Sequence, residues 1–133
     1  MIQLESKTST VNASQEHVFN FLSDFRNISG MLPEDVMNNV VFDQQVCRFD
    51  IKGLGPAGLV IDEKIPFSSL RIKGTKETPA DFNLLITLEP LSEDTTAVKF
   101  SLDAKMNMFI EMFAKAPLQK FVDMLAEKVT LIS

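Results

Sequence analysis

The side chains that could do chemistry in this sequence are few and scattered. His17 is the only histidine and Cys47 the only cysteine. One histidine cannot build a multi-histidine metal centre, and no second soft ligand lies near it in sequence. It falls in the first turn of an expected helix beside Gln15 and Glu16, a solvent-facing setting. Nothing places it next to a nucleophile and an orienting acid, as triad chemistry requires. Cys47 alternates in phase with Phe49 and Ile51 and is expected to face a core as a small hydrophobe. The adjacent Arg48, which could activate a thiolate, points to the other face of a strand. No catalytic residue and no metal ligand is assigned, and no cofactor is expected.

Acids are more numerous. Glu34-Asp35, Asp62-Glu63 and Glu93-Asp94 are adjacent pairs. Neighbours on a strand face opposite ways, and neighbours in a turn are solvated, so such pairs rarely share a site. Glu63 stands apart because it shares the alternation of Leu59, Ile61 and Ile65. If it points inward, it must pair with a base such as Arg48 or Arg71, or sit at a wet cavity mouth, because a lone buried acid is costly. A plain edge position competes with both. Gly53-Leu54-Gly55-Pro56-Ala57-Gly58 matches G-x-G-x-x-G literally. A phosphate loop must open a helix, whereas here Leu59–Glu63 reads as the next strand, so the glycines mark a turn.

Composition narrows the class. A chain of 133 residues supports one core, and a single domain spanning 1–133 is expected. A net charge of −5 without clustered Lys or Arg argues against nucleic acid as a partner. No apolar run reaches bilayer-spanning length, so no stable membrane insertion is expected. The first residues carry no basic segment followed by an apolar one, and the single cysteine suits a reducing compartment; the expected location is cytoplasmic. Eleven Phe and seven Met stand against no Tyr and no Trp. Such an interior has almost no polar handles, which suits a packed core and an apolar cavity equally.

The elements that must position these residues follow from periodicity. Residues 2–11 read as a first strand. Ser14 is a candidate N-cap for a helix carrying Val18, Phe19, Phe21, Leu22 and Phe25, with Glu16 in its first turn. A short helix or turn is expected from Arg26 to Leu32. Six strands follow: Val36–Asp43, Val46–Lys52, Ala57–Pro66, Ser69–Glu77, Asp81–Leu91 and Thr95–Met106. Their short connections predict an antiparallel meander. The chain closes on one long helix, Asn107 to Ile132, bent or loosened at Pro117. On a helical wheel Ile110, Phe113, Ala114, Leu118, Phe121, Leu125, Val129 and Ile132 share one side. Phe109, Met112 and Ala116 make the opposite side apolar too, but only before the proline. The order β-α-α-β-β-β-β-β-β-α is an α+β arrangement in which about seven curved antiparallel strands need the last helix as cover.

That order, and the residues within it, resembles the START-like superfamily, also called the SRPBCC or polyketide cyclase/dehydrase and birch-pollen-allergen-like group. The resemblance begins at Val11-Asn12-Ala13-Ser14-Gln15-Glu16-His17-Val18-Phe19-Asn20-Phe21-Leu22-Ser23-Asp24. It continues at Asn27, Met31-Leu32-Pro33 and Phe49-Asp50-Ile51-Lys52-Gly53, and ends at Pro117-Leu118-Gln119-Lys120-Phe121-Val122. It is nearest to small single-domain bacterial members. The resemblance implies a helix-grip fold, in which the sheet wraps the last helix around a cavity or tunnel. It also implies binding of lipids, sterols, hormones or polyketides, with cyclisation or dehydration in some members.

On this basis the expected function is binding or carriage of a small hydrophobic or amphipathic molecule between sheet and C-terminal helix. The expected lining is Phe109, Met112, Phe113 and Ala116 from the helix, with Met31 and Leu32 at the mouth. Phe49, Ile61, Ile72, Phe82 and Leu84 contribute from the sheet, and Glu63 serves as a polar anchor. A cyclase/dehydrase-type enzyme is an alternative, weakened by the absence of convergent acid–base groups. Another is an interaction module that forms a homodimer through the apolar face of the last helix. A core packed without any cavity is the fourth outcome.

Overall fold

The computed structural model describes residues 1–28, 37–51, 55–78 and 80–132. Among the described residues, eight strands and three helices follow one another as β1 (Ile2–Glu5), β2 (Ser9–Val11), α1 (Gln15–Leu22), α2 (Phe25–Ile28), β3 (Met37–Phe42), β4 (Val46–Ile51), β5 (Gly55–Ile65), β6 (Ser69–Gly74), β7 (Asp81–Ser92), β8 (Thr95–Lys105) and α3 (Met108–Lys128), which ends in a 3₁₀ turn, Val129–Leu131. All strands form one curved antiparallel sheet in the order β1-β8-β7-β6-β5-β4-β3, with β2 also on β8. From β3 to β8 each strand pairs with its successor, so the expected meander is present. The architecture is an α+β helix-grip fold with the long helix against the sheet.

The expected single first strand is two. Between β1 and β2 the backbone ladder to β8 passes through Ser6, whose N–H donates to the Phe100 carbonyl at 2.9 Å. Its Oγ accepts from the Phe100 N–H at 3.0 Å, and Phe100 itself is buried. A side chain here takes the place of a backbone carbonyl, so the strand breaks without leaving a buried donor unpaired. The helix α1 starts as its sequence indicates: the Ser14 side chain accepts from the His17 N–H at 3.1 Å. The second helix begins at Phe25, one residue before the expected start, and the residues from 29 to 36 lie outside those described.

The core is the buried face of the sheet against α1, α2 and the second half of α3. Alternating residues of the long strands fill it: Leu84, Ile86 and Leu88 from β7, and Val98, Phe100, Leu102 and Ala104 from β8. Cys47 is fully buried there, and burial pushes its thiol up to about 11, so it behaves as the inert small hydrophobe expected. Gly55 through Gly58 already belong to β5 rather than to a turn, while Gly53 and Leu54 lie outside the described residues. A Cβ on Gly58 would meet Thr75 Oγ1 at 2.7 Å, so this glycine permits a close approach of β5 to the turn after β6. The same turn is tied back by Thr78, which accepts from the Gly58 N–H and donates to its carbonyl, at 3.0 and 2.9 Å.

The β5–β6 hairpin is closed by Ile65-Pro66-Phe67-Ser68, with the Ser68 N–H donating to the Ile65 carbonyl at 2.9 Å. Pro66 at the second position suits such a turn; Phe67 at the third has φ +67°, a conformation usually left to glycine. Its ring meets Phe19 of α1 edge-on, with centroids 5.6 Å apart at 85°. The aromatic contact holds a strained residue in place and pins the hairpin to α1.

Candidate functional site

The two halves of α3 differ sharply in burial. The second half presents Val122, Leu125 and Ala126 to the core, and Val129 continues the buried stripe. It is also tethered: Ser9 Oγ of β2 donates to the Ala126 carbonyl at 2.5 Å in a buried setting. The first half has no fully buried side chain. Ala114 and Leu118 are half-buried against the core and Ile110 is half-buried, whereas Met108, Phe109, Met112 and Phe113 are 77–80% exposed. Phe113, grouped with the core side by the wheel, instead lies on the exposed side beside Phe109 and Met112. The reason is angular: the buried stripe is Val122, Leu125, Ala126 and Val129, and on the wheel Phe113 lies nearly opposite its centre.

Asn107 caps the helix, accepting from the Ile110 N–H at 3.0 Å. Glu111, one turn in, meets the amino group of Met1 at 3.2 Å. Pro117 sits at the boundary between the two halves, inside a continuous helix. Having no N–H, it cannot donate to the Phe113 carbonyl, so the ladder is one bond short where burial also changes.

Beneath the second half of α3 lies a cavity of about 20 Å³. It is bounded by Leu22 of α1, Phe25 and Ile28 of α2, and Phe121 and Leu125 of α3. The sheet supplies Leu59, Ile72, Leu84, Ile86 and Phe100. Every lining residue is apolar, so a water placed there would find no partner. Phe82 of β7, half-buried, contacts Phe121 with ring centroids 6.5 Å apart and so stands at the edge of this wall.

Of the sheet residues expected to line a pocket, Ile72 and Leu84 face the cavity. Phe49 and Ile61 are buried in the core but do not border it. Phe109, Met112, Phe113 and Ala116 gather on one exposed strip of α3, while Met31 and Leu32 lie outside the described residues. Sequence reasoning did not find Leu22, Phe25, Ile28 and Leu125 as lining, although all four belong to apolar helical stripes. Periodicity identifies a core face but not which core residues leave a gap.

Glu63 is exposed and does not point inward. Register explains this: Ile61 pairs with Ile72 but Glu63 pairs with Arg71, so β5 carries a bulge at Asp62. The extra residue reverses the alternation that Leu59 and Ile61 had set, and Glu63 emerges beside Arg71 on the outer face. Their charged groups are 3.8 Å apart, a surface pair of small energetic weight. Asp62 likewise meets Lys73 at 3.3 Å. Of the other acid pairs, Glu93-Asp94 is exposed in the β7–β8 turn and Glu34-Asp35 lies outside the described residues. His17 is exposed on α1. Among the described residues no three His, Cys, Asp or Glu come together as a metal site, and no helix is long and apolar enough to cross a membrane.

No family model matches the sequence, and no curated protein aligns with it. Solved structures match in fold. A START superfamily protein from Mycobacterium smegmatis superposes with a TM-score of 0.67 at 16% identity, covering 98% of this chain and 99% of that one. An uncharacterised protein from Bacillus thuringiensis gives 0.68 at 10% identity, over 97% and 96% of the two chains. The Aha1 dimer from Colwellia psychrerythraea gives 0.64 at 13% identity, over 98% and 97%. Coverage of nearly the whole length on both sides shows that this chain shares its fold with a START superfamily protein.

Proposed function

We propose that this protein binds a small hydrophobic or amphipathic molecule between the sheet and α3. The observation that carries this reading is the contrast within α3: a tethered second half, and a first half with no fully buried side chain, divided at Pro117. A START-like fold, shared with a START superfamily protein, supports it at the level of fold. So does a wholly apolar cavity below the start of the second half, at Phe121 and Leu125.

Volume decides how binding would proceed. A cavity of about 20 Å³ holds one water-sized group, whereas ligand pockets run to roughly 300 Å³ or more. The ligand therefore enters by lifting the first half of α3 away from the sheet. Few buried contacts hold that half down, so its local opening is cheap compared with unfolding the core. In this reading Ile72, Leu84 and Phe121 form the floor, with Phe82 at its edge. Phe109, Met112, Phe113 and Ala116 are the mouth that closes over the bound molecule; their role is shape and desolvation.

The test is native mass spectrometry of freshly purified protein, followed by denaturing extraction. A co-purifying lipid-like or aromatic molecule is expected, as is its loss in Met112→Trp. Hydrogen exchange should slow between residues 108 and 118 when the molecule is present. A clean apo protein with no thermal shift against fatty acids, sterols and aromatics would sink the proposal.

A further inference from the structure

The strip formed by Met108, Phe109, Met112 and Phe113 has a second property, independent of any ligand. Each side chain is 77–80% exposed, which leaves about 150 Å² apiece in contact with water. Together they make an apolar patch of about 600 Å², at the top of the range for a soluble monomer. Paired with an equal patch, it would bury about 1,200 Å², the lower bound for a stable protein–protein interface.

The sequence of the strip is also self-complementary. Met-Phe at 108–109 is repeated four residues later, at 112–113, one helical turn on. Two copies of the helix laid antiparallel about the midpoint of Ile110 and Glu111 bring Met108 opposite Phe113 and Phe109 opposite Met112. Each thioether then meets a ring, a favourable contact for sulfur. In the same register Lys115 falls opposite Met106 rather than against its own copy, so like charges do not meet across the axis. Ala116, exposed and small on the same strip, lets the helices approach closely. Such an isologous arrangement closes on itself as a two-fold dimer.

We infer that the first half of α3 is a homodimer interface, with a second copy of this chain as the occupant of the strip. If the ligand reading also holds, the second copy covers the mouth of the site.

The experiment is sedimentation velocity of the full chain across a wide concentration range, on wild type, Phe109→Lys and Leu131→Lys. Leu131 is as exposed, at 80%, but lies at the other end of the helix, so it controls for the general loss of surface hydrophobicity. A weak, concentration-dependent dimer is expected for wild type and Leu131→Lys. In Phe109→Lys its dissociation constant should rise by about tenfold or more, with the circular dichroism spectrum unchanged. Mixing Phe109→Cys chains with Met112→Cys chains should give a disulfide-linked pair, whereas each alone should not. Cys47 is buried and does not compete. A wild-type monomer at every concentration overturns the inference, and so does equal weakening by both lysines. A monomer that instead binds phosphatidylcholine vesicles through the same residues overturns it in favour of a lipid surface. A wild-type dimer with no co-purifying molecule would count against the ligand reading alone.

Discussion

Leu125→Ala is the substitution that tests the described core most directly. Leu125 is nearly inaccessible, faces α1 and the sheet from α3, and borders the existing cavity. Removing three carbons forfeits about 2 kcal/mol of transfer free energy. It also opens about 80 Å³ beside the gap of about 20 Å³ already there, and at about 24 cal/mol per Å³ this adds about 2 kcal/mol more. With partial collapse the expected loss is about 3–4 kcal/mol, or about 10–15 °C in melting temperature for a chain of this size. The enlarged space approaches the size of engineered apolar cavities that take up benzene, about 150 Å³. Urea unfolding of wild type and Leu125→Ala measures the first effect; benzene or indole titration, read as a thermal shift in the variant only, measures the second. A loss below about 1 kcal/mol would refute the reasoning, because it would mean that α3 does not pack here as described. A full loss with no response to benzene would leave the packing intact but show that the enlarged gap collapses.

Other outcomes follow from single features of the fold. Phe67→Ala should destabilise by about 1–2 kcal/mol through the lost contact with Phe19. Phe67→Gly should lose about 1 kcal/mol less, because glycine accepts the positive φ; equal losses in urea melts would argue against strain at this turn. The Cys47 thiol is held protonated by burial, with its folded value at about 11 against an ordinary 9.0. Its contribution is complete below about pH 9 and is lost as pH rises through the folded value, an effect of about 2–3 kcal/mol. With no tyrosine in the chain to titrate alongside it, Cys47→Ala should flatten stability between pH 9 and 11. Native protein should also resist thiol reagents until it unfolds; rapid labelling at neutral pH would contradict the burial.

Acid sensitivity is expected at the β3–β4 turn. Backbone N–H groups of Val46 and Gln45 donate to Asp43 and hold its carboxyl below the usual range, with smaller help from Arg48 and Arg26. That stabilisation is present above the unfolded carboxylate value and disappears as pH falls through the lower folded one. Asp43→Asn should therefore lower stability at neutral pH and converge on wild type as pH falls through the carboxylate range. A neutral-pH stability equal to that of wild type would count against the turn geometry.

Strand succession, the Ser14 cap and the inward set of β7 and β8 were legible in the sequence, because period-two alternation and capping chemistry are local properties. The START-like resemblance was legible as an order of such local signals. The break at Ser6 was not, since it depends on a side chain meeting Phe100 on a strand far along the chain. Nor was the outward turn of Glu63: its alternation with Leu59 and Ile61 is real, but a bulge set by pairing with β6 reverses it. Residue types along α3 announced a helix apolar on two sides in its first half. Only the tertiary structure decided which of those side chains the sheet could reach. A curved sheet has one concave face of limited extent; it buries one side of the second half of α3 and only partly covers one side of the first. That unequal cover leaves Phe109, Met112 and Phe113 at the surface.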